Sequence, residues 1–140
     1  MTEEQEVLIR YRLERAMETM AEAEMLAQGR HWNGCVNRLY YACFYTVTAL
    51  LLRHGLSFSK HSSVVAMFNR HFVRTGLVAP PLGQLLNRLF QNRNRGDYRD
   101  LARFDEAMVR PWLEEVPLFL SEIGRLVTAP PSGERHDSGS

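Results

Sequence analysis

Two short stretches of the chain concentrate the residue types that could do chemistry. The first runs from Asn37 to Tyr45 and holds an amide, a guanidinium and three phenols. Asn37, Tyr41 and Tyr45 recur at every fourth residue, so on a helix they share one face and could line a polar seam. A buried donor without a partner costs about 1–3 kcal/mol, so each group needs a hydrogen bond. The pattern favours structural bonds for Tyr40 and Tyr45, whereas structural and ligand-binding roles are equally open for Asn37 and Tyr41.

The second stretch runs from Arg88 to Arg103 and places five arginines around the sequence Gly96-Asp97-Tyr98. Guanidinium groups bind phosphate well, so this stretch could hold an anion. Arg93 and Asp97 are four residues apart and within ion-pair reach on a helix. Arg93 and Tyr98 would lie about 140° apart on an ideal helix, so they can face one site only if the helix breaks at Gly96. The alternative is a solvated basic helix end whose arginines interact with the C-terminal dipole.

A third candidate is the pair Lys60-His61, which includes the only lysine of the chain. The pair stands at the predicted start of a helix, where free backbone N–H groups favour anions. A phosphate contact and a surface cap are both open for it. The other histidines are His31, His54, His71 and His136. None of them has ligand spacing relative to a cysteine or a carboxylate, so the sequence predicts no metal site and indicates no cofactor.

The charges are distributed unevenly along the chain, although the net charge is only +1. Residues 1–24 carry seven Glu and three Arg, and residues 97–140 carry nine acids and five Arg, so each segment has a net charge of −4. Residues 25–96 carry eight Arg and one Lys without any acid, a net charge of +9. Such asymmetry indicates an anionic partner, or basic middle helices that pair with acidic outer helices across a bundle.

Apolar residues recur with helical periodicity and no stretch alternates as a strand would, which predicts an all-α fold. The predicted helices run from about Glu3 to Gln28, from near residues 30–33 to Gly55, from Ser59 or Ser62 to Gly76, from Pro80 onward, and from Phe104 to Val127. A chain of 140 residues that is 45% hydrophobic can fill one core. We therefore predict one domain, residues 1–128, followed by a disordered tail, residues 129–140, that has no apolar face to bury.

Local signals predict where several helices begin and end. Thr2 is expected to cap the first helix, and Gly29 is expected to end it as a left-handed residue. Pro111 and Pro117 both fall inside the last helical pattern. Proline removes a backbone donor, so we expect a kinked or restarted helix near Arg110.

The segment from Trp32 to His54 is apolar on most sides, which indicates a central, buried helix. It is long enough to cross a membrane, but Asn33, Asn37 and Arg38 would be costly in hydrocarbon. Both cysteines lie in this helix and are predicted to be reduced core thiols. No leader sequence opens the chain, so we expect a cytoplasmic protein with no membrane partner.

Two sequence blocks together carry a resemblance to a known family. The blocks are Asn37-Arg38-x-Tyr40-Tyr41-Ala42-x-Phe44 and Arg93-x-x-Gly96-Asp97-Tyr98, and Lys60-His61 lies between them. In this order they resemble the HEPN superfamily over about residues 5–127, and most of all a bacterial and archaeal group whose fourth helix ends in Arg-x-x-Ala-Asp-Tyr. The resemblance implies an up-and-down bundle of four to five helices. It also implies a homodimer that brings the fourth-helix motifs of two chains into one cleft.

The chain departs from the catalytic pattern that this resemblance implies. Many HEPN proteins are metal-independent ribonucleases or toxins, with a histidine four to six residues after an arginine that matches Arg93. Here Tyr98 stands in that interval, and no histidine does. In HEPN toxins paired with a minimal nucleotidyltransferase, a tyrosine two residues after the motif histidine accepts AMP from the partner. The matching position in this chain is Asp100. A phenol with a pKa of about 10 moves protons poorly at neutral pH compared with imidazole at about 6.5.

Three functions follow as expectations. The first is a HEPN-type protein that binds nucleotide or RNA phosphates, as an accessory or toxin–antitoxin-like component beside a minimal nucleotidyltransferase. Its candidate binding residues are Arg93, Asp97, Tyr98, Arg95, Asn37, Tyr41 and Lys60. The second is a metal-independent endoribonuclease in which His61 or another histidine replaces the motif histidine, with Arg93 and Tyr98 as further catalytic candidates. The third is a purely structural dimerisation module.

Overall fold

The computed structural model describes residues 1–98 and 103–129, and for residues 94–98 it describes the backbone alone. These residues form helices and contain no strand, which confirms the predicted all-α bundle. In chain order the helices are α1 (Glu3–Gln28), α2 (Trp32–Arg53), α3 (His61–Phe68), α4 (Pro80–Tyr98) and α5 (Glu106–Thr128). A π-helical segment, Asn69–Val73, continues α3. Residues 130–140, the predicted disordered tail apart from Ala129, lie outside the described part.

Helix α2 is the centre of the bundle and packs against all four other helices. Leu39, Tyr40, Val47, Leu50 and Leu51 are among its buried residues. By length and composition alone α2 could cross a membrane, but 67% of its most apolar stretch is buried inside the bundle. Its apolar character is therefore explained by its place in the core.

Helix α1 begins and ends as predicted, but the left-handed residue after it is not the predicted one. The hydroxyl of Thr2 accepts a hydrogen bond from the backbone N–H of Gln5, whose side chain accepts one from the backbone of Thr2. The predicted left-handed stop at Gly29 is wrong, because Gly29 has φ −83° while Arg30 has φ +62°. A Cβ at Gly29 would come within 2.9 Å of the ring of His31, which is exposed and has room to shift.

Helix α3 starts without the serine cap that was predicted. Its N-cap residue is Lys60, and no side chain caps it, so the prediction of Ser59 or Ser62 is wrong. The start is held by packing, because the first residue of the helix, His61, stacks on a ring of α2. Gly76 follows the π-helical segment with φ +86°, the left-handed conformation expected where this helix ends.

Helices α4 and α5 are both more regular than predicted. The backbone of α4 continues through Gly96 to Tyr98, so the helix does not break at Gly96 as a shared site for Arg93 and Tyr98 would require. Helix α5 begins at Glu106, capped by Asp105, and continues through Pro111 and Pro117, so a restart near Arg110 is wrong. Both prolines are exposed, and the carbonyl groups that they leave without a partner can bond to water.

Three arginines of the basic middle segment pair with the acidic outer helices, as one of the two interpretations expected. Arg53 contacts Glu6 at 2.5 Å, Arg38 contacts Glu22 at 3.3 Å, and Arg30 contacts Glu106 at 3.5 Å. Within the described part of the chain, the exposed cations without an ion pair include Lys60, Arg70, Arg74 and Arg88. Pairing across the bundle therefore accounts for some of the basic segment and not for all of it.

Candidate functional site

The candidate site lies where α2 meets the end of α4, and it is built on the Tyr40-Tyr41 pair. Arg93, from the last part of α4, donates a hydrogen bond through Nη2 to the hydroxyl of Tyr41 at 2.9 Å. Its guanidinium carbon lies 5.7 Å from the ring centre of Tyr40 and 5.4 Å from that of Tyr41. A cation at this distance from an aromatic face is attracted to it, so the two tyrosines orient Arg93.

His61 joins the same pair of tyrosines from the start of α3. Its Nδ1 lies 2.9 Å from the hydroxyl of Tyr40, which is fully buried. Its ring stacks on Phe44 with 4.1 Å between ring centres and 18° between planes, and meets Tyr41 edge to face. The imidazole is thus fixed by one hydrogen bond and one stacking contact, while part of it is exposed.

The electrostatics of the cluster keep the imidazole neutral at pH 7. Burial lowers the pKa of His61 below its ordinary value of 6.5, and the positive charge of Arg93 lowers it further. Burial also raises the pKa of the Tyr40 phenol, against a smaller opposing effect of Arg93. Tyr40 therefore stays protonated, and the site offers a fixed cation beside a neutral imidazole.

Asn37 and Arg38 form a second layer beside Tyr41. The Asn37 side-chain oxygen accepts hydrogen bonds from Nε and Nη2 of Arg38, at 3.1 and 2.7 Å. The guanidinium of Arg38 also lies 5.2 Å from the ring centre of Tyr41 and pairs with Glu22 of α1. This geometry gives Asn37 a structural role, because its oxygen holds Arg38 against the site.

The predicted site residues are brought together only in part. Tyr41, Arg93 and His61 share one cluster, and Lys60 is exposed directly before His61. The side chains of Arg95, Asp97 and Tyr98, and residue Asp100, lie outside the described part of the chain. Along the regular backbone of α4, positions 93 and 98 are about 140° apart, so the helix break that a shared site would need is missing.

Sequence reasoning did not assign Tyr40 or Phe44 to the site. It gave Tyr40 only a structural hydrogen bond between packed helices, and that bond turns out to join Tyr40 to His61. Phe44 lies four residues beyond Tyr40, on the same face of α2. That face was visible in the spacing, but nothing in the sequence showed that the start of α3 would pack on it.

The remaining reactive groups lie away from this cluster. Cys35 and Cys43 are free and buried, and burial raises the pKa of Cys35 to about 11. Burial raises the pKa of Cys43 as well, so neither is a reactive thiolate at neutral pH. Among the described residues no group of three or more His, Cys, Asp or Glu side chains could hold a metal ion.

The fold and the cluster define a small all-α protein in which an arginine of the fourth helix is bound to a tyrosine of the second. A model of the HEPN domain matches residues 9–126, and the chain therefore belongs to the HEPN domain family, as its sequence blocks indicated.

Named relatives agree with this assignment. The chain is 47% identical over 124 residues to a "UPF0332 protein" of Thermotoga maritima. This match covers 89% of this chain and 94% of the relative. It is 33% identical to two proteins of Methanocaldococcus jannaschii that carry the names "Putative toxin MJ0142" and "Putative toxin MJ0605". The matches cover 79% and 61% of this chain, and 75% and 64% of those relatives.

Proposed function

We propose that this protein binds a phosphate group of RNA or of a nucleotide at Arg93, Tyr41 and His61, as a toxin-like component of a toxin–antitoxin system. The observation that carries the proposal is the bond from Arg93 to Tyr41, which orients the cation before a ligand arrives. The family membership and the toxin names of two relatives support the cellular role.

The chemistry of the cluster suits a phosphate. A guanidinium has five N–H donors in a plane and binds phosphate oxygens in a fixed geometry. The rings of Tyr40 and Tyr41 hold the guanidinium of Arg93 in place before a ligand binds. The arginine side chain therefore loses less conformational entropy when it binds phosphate. Two exposed cations add positive potential: Lys60 directly before α3, and Arg88 on α4.

The proposal includes the end of α4 on the strength of the sequence alone. Arg95, Asp97 and Tyr98 follow Arg93 in the motif that the HEPN resemblance identifies. If a second copy of the chain brings its own α4 into the same cleft, as that resemblance implies, these residues would extend the phosphate site. We accordingly propose a cytoplasmic homodimer that acts beside a minimal nucleotidyltransferase.

Binding of a labelled RNA separates this proposal from a structural module. The full-length protein is titrated into fluorescent single-stranded RNA, and separately into labelled ATP, at several salt concentrations. We expect binding that weakens as salt rises while the RNA stays intact, because phosphate contacts release counterions. Absence of binding to both ligands at low salt would favour a purely structural dimerisation module.

A second candidate, a metal-independent endoribonuclease, is favoured by one observation. The neutral imidazole of His61 lies near Arg93, whose charge lowers its pKa, and it provides the imidazole that the fourth helix lacks. Incubation of RNA with the protein in excess EDTA tests it. Cleavage by the parent protein that is lost in both Arg93→Ala and His61→Gln would support the enzyme, and intact RNA would support binding alone.

A further inference from the structure

The hydroxyl of Tyr40 has one hydrogen-bond partner among the described residues, and that partner is His61. Tyr40 is 0% exposed, so bulk water does not reach it. The contact joins the phenol oxygen to Nδ1 of His61 at 2.9 Å. Which of the two groups donates decides where the imidazole carries its proton.

The two arrangements of this bond are not equivalent. If Nδ1 of His61 donated, the hydrogen of the Tyr40 hydroxyl would be buried without an acceptor, which is costly. If Tyr40 donates, its hydrogen and the lone pair of Nδ1 are both satisfied. Burial keeps the phenol protonated, because it raises the pKa of Tyr40. The bond therefore runs from Tyr40 to Nδ1, and the neutral imidazole holds its proton on the other nitrogen, Nε2.

We propose that Tyr40 is a positioning residue for His61: its hydroxyl holds Nδ1 as an acceptor, so that the imidazole offers its Nε2–H to a phosphate oxygen of RNA bound at Arg93. The identity of the ligand rests on the function proposed above, whereas the position of the proton does not. Phe44 supports the same arrangement, because its ring is stacked on the imidazole and hinders rotation.

This arrangement also bears on the choice between binding and cleavage. A general base needs a free lone pair toward the hydroxyl group that it deprotonates. In His61 the lone pair of Nδ1 points at the buried Tyr40, and the opposite nitrogen carries a hydrogen. The site is therefore arranged to donate hydrogen bonds to a phosphate rather than to remove a proton from a ribose hydroxyl. Among the residues whose side chains the structure describes, the charged and titratable groups around the imidazole are Tyr40 and Tyr41 of α2 and Arg93 of α4.

The tautomer can be measured directly in the full-length protein. Long-range ¹H–¹⁵N NMR at pH 7.5 distinguishes a protonated from an unprotonated ring nitrogen, and His61→Gln identifies the signals of His61. We expect an unprotonated Nδ1, a protonated Nε2 and a slowly exchanging Tyr40 hydroxyl proton coupled to Nδ1. A proton on Nδ1 of His61 would overturn the proposal.

Substitution of Tyr40 supplies the second arm of the test. Tyr40→Phe removes the donor, so we expect a measurable fraction of the Nδ1–H tautomer and roughly three- to tenfold weaker RNA binding. Tyr45→Phe removes a phenol from the same helix without touching His61, and should change neither. Equal tautomers in the parent and Tyr40→Phe would contradict the assignment. If Tyr40→Phe fails to fold, the parent spectrum decides alone.

Adding RNA distinguishes a failure of this inference from a failure of the proposed function. A shift of the Nε2–H signal on RNA binding supports both. The expected tautomer without any response to RNA supports the role of Tyr40 toward His61 and overturns RNA as the ligand. RNA binding by a protein whose His61 carries its proton on Nδ1 supports the function and overturns the role of Tyr40.

Discussion

The hydroxyl of Tyr41 accepts a hydrogen bond from Arg93 at 2.9 Å, and this bond joins α2 to α4 across 52 residues of sequence. The guanidinium carbon also lies 5.4 Å from the ring centre of Tyr41, so one tyrosine contacts the cation through both its hydroxyl and its ring. A charged group that is oriented in advance loses less conformational freedom on binding. The contact therefore links the packing of the bundle to the proposed binding of phosphate.

Replacing Tyr41 by Phe should weaken this link. The hydrogen bond from Arg93 is lost, which we expect to lower the free energy of unfolding by about 0.5–1.5 kcal/mol. Urea denaturation followed by circular dichroism measures the change. Tyr45→Phe is the matched control, since Tyr45 contacts Arg15 through its ring and keeps that contact without the hydroxyl. An equal decrease in the free energy of unfolding in the two variants would contradict a stabilising bond between Arg93 and the Tyr41 hydroxyl.

Arg53 is predicted to be the surface arginine with the largest effect on stability. It is 19% exposed, bonds to Glu6 at 2.5 Å and donates to the carbonyl of Val127 at 2.9 Å, so it ties α1 and the end of α5 to α2. Arg53→Met should lower the free energy of unfolding by about 1.5–3 kcal/mol. Arg125→Met is the control, because Arg125 is 63% exposed and pairs only along its own helix with Glu122. Its loss should change stability far less than the loss of Arg53, because an exposed ion pair within one helix contributes little.

Two glycines give an opposed pair of predictions. A Cβ at Gly83 would come within 2.8 Å of Asn69 Oδ1 and 2.9 Å of Val73, so Gly83→Ala forces α4 away from the π-helical segment. We expect it to destabilise the protein by about 1–3 kcal/mol. A Cβ at Gly124 of α5 would meet nothing within 4 Å, so Gly124→Ala should stabilise by about 0.5–1 kcal/mol. Thermal unfolding of both variants checks the signs, and stabilisation by Gly83→Ala would contradict the packing.

Stability should fall as pH drops below 6.5 because of two histidines. Burial lowers the pKa of both His61 and His54 below 6.5. The charge of Arg93 lowers the pKa of His61 further, and Arg53 and His71 lower that of His54 further. Between 6.5 and those lower values the unfolded chain binds more protons than the folded one, so the free energy of unfolding decreases with decreasing pH. Urea denaturation at pH 7.5 and 5.5 should show a smaller loss in His61→Gln and in His54→Gln than in the parent. An identical loss in all three proteins would exclude these histidines as the cause.

The number and order of the helices could be predicted from the sequence, but several of the signals that begin or end them could not. The cap at Thr2 and the limits of α1 follow from local chemistry, which the tertiary structure leaves unchanged. Pro111 was expected to interrupt a helix, but the apolar face of α5 continues past it and is buried, so packing outweighs the local signal. Lys60 precedes α3 without a side-chain cap because contacts of His61 with α2 hold that end.

The candidate site could be predicted as a set of residues but not as an arrangement. Tyr41, Arg93 and His61 were each identified by residue type and neighbours. Their meeting depends on how α3 and α4 cross α2, and a single sequence does not contain those angles. Tyr40 was assigned to structural packing for the same reason, since its partner lies 21 residues away at the start of another helix.

The central claim is that Arg93 contacts a phosphate, and the salt dependence of RNA binding tests it most directly. Arg93→Ala is compared with Arg74→Ala, which removes an exposed arginine beyond the far end of the π-helical segment, about 20 Å along the helix axis from His61. We predict that Arg93→Ala binds single-stranded RNA about 10- to 100-fold more weakly and reduces the slope of log K against log salt by about one, while Arg74→Ala changes neither by a comparable amount. Equal losses in the two variants, or an unchanged slope in Arg93→Ala, would contradict the claim.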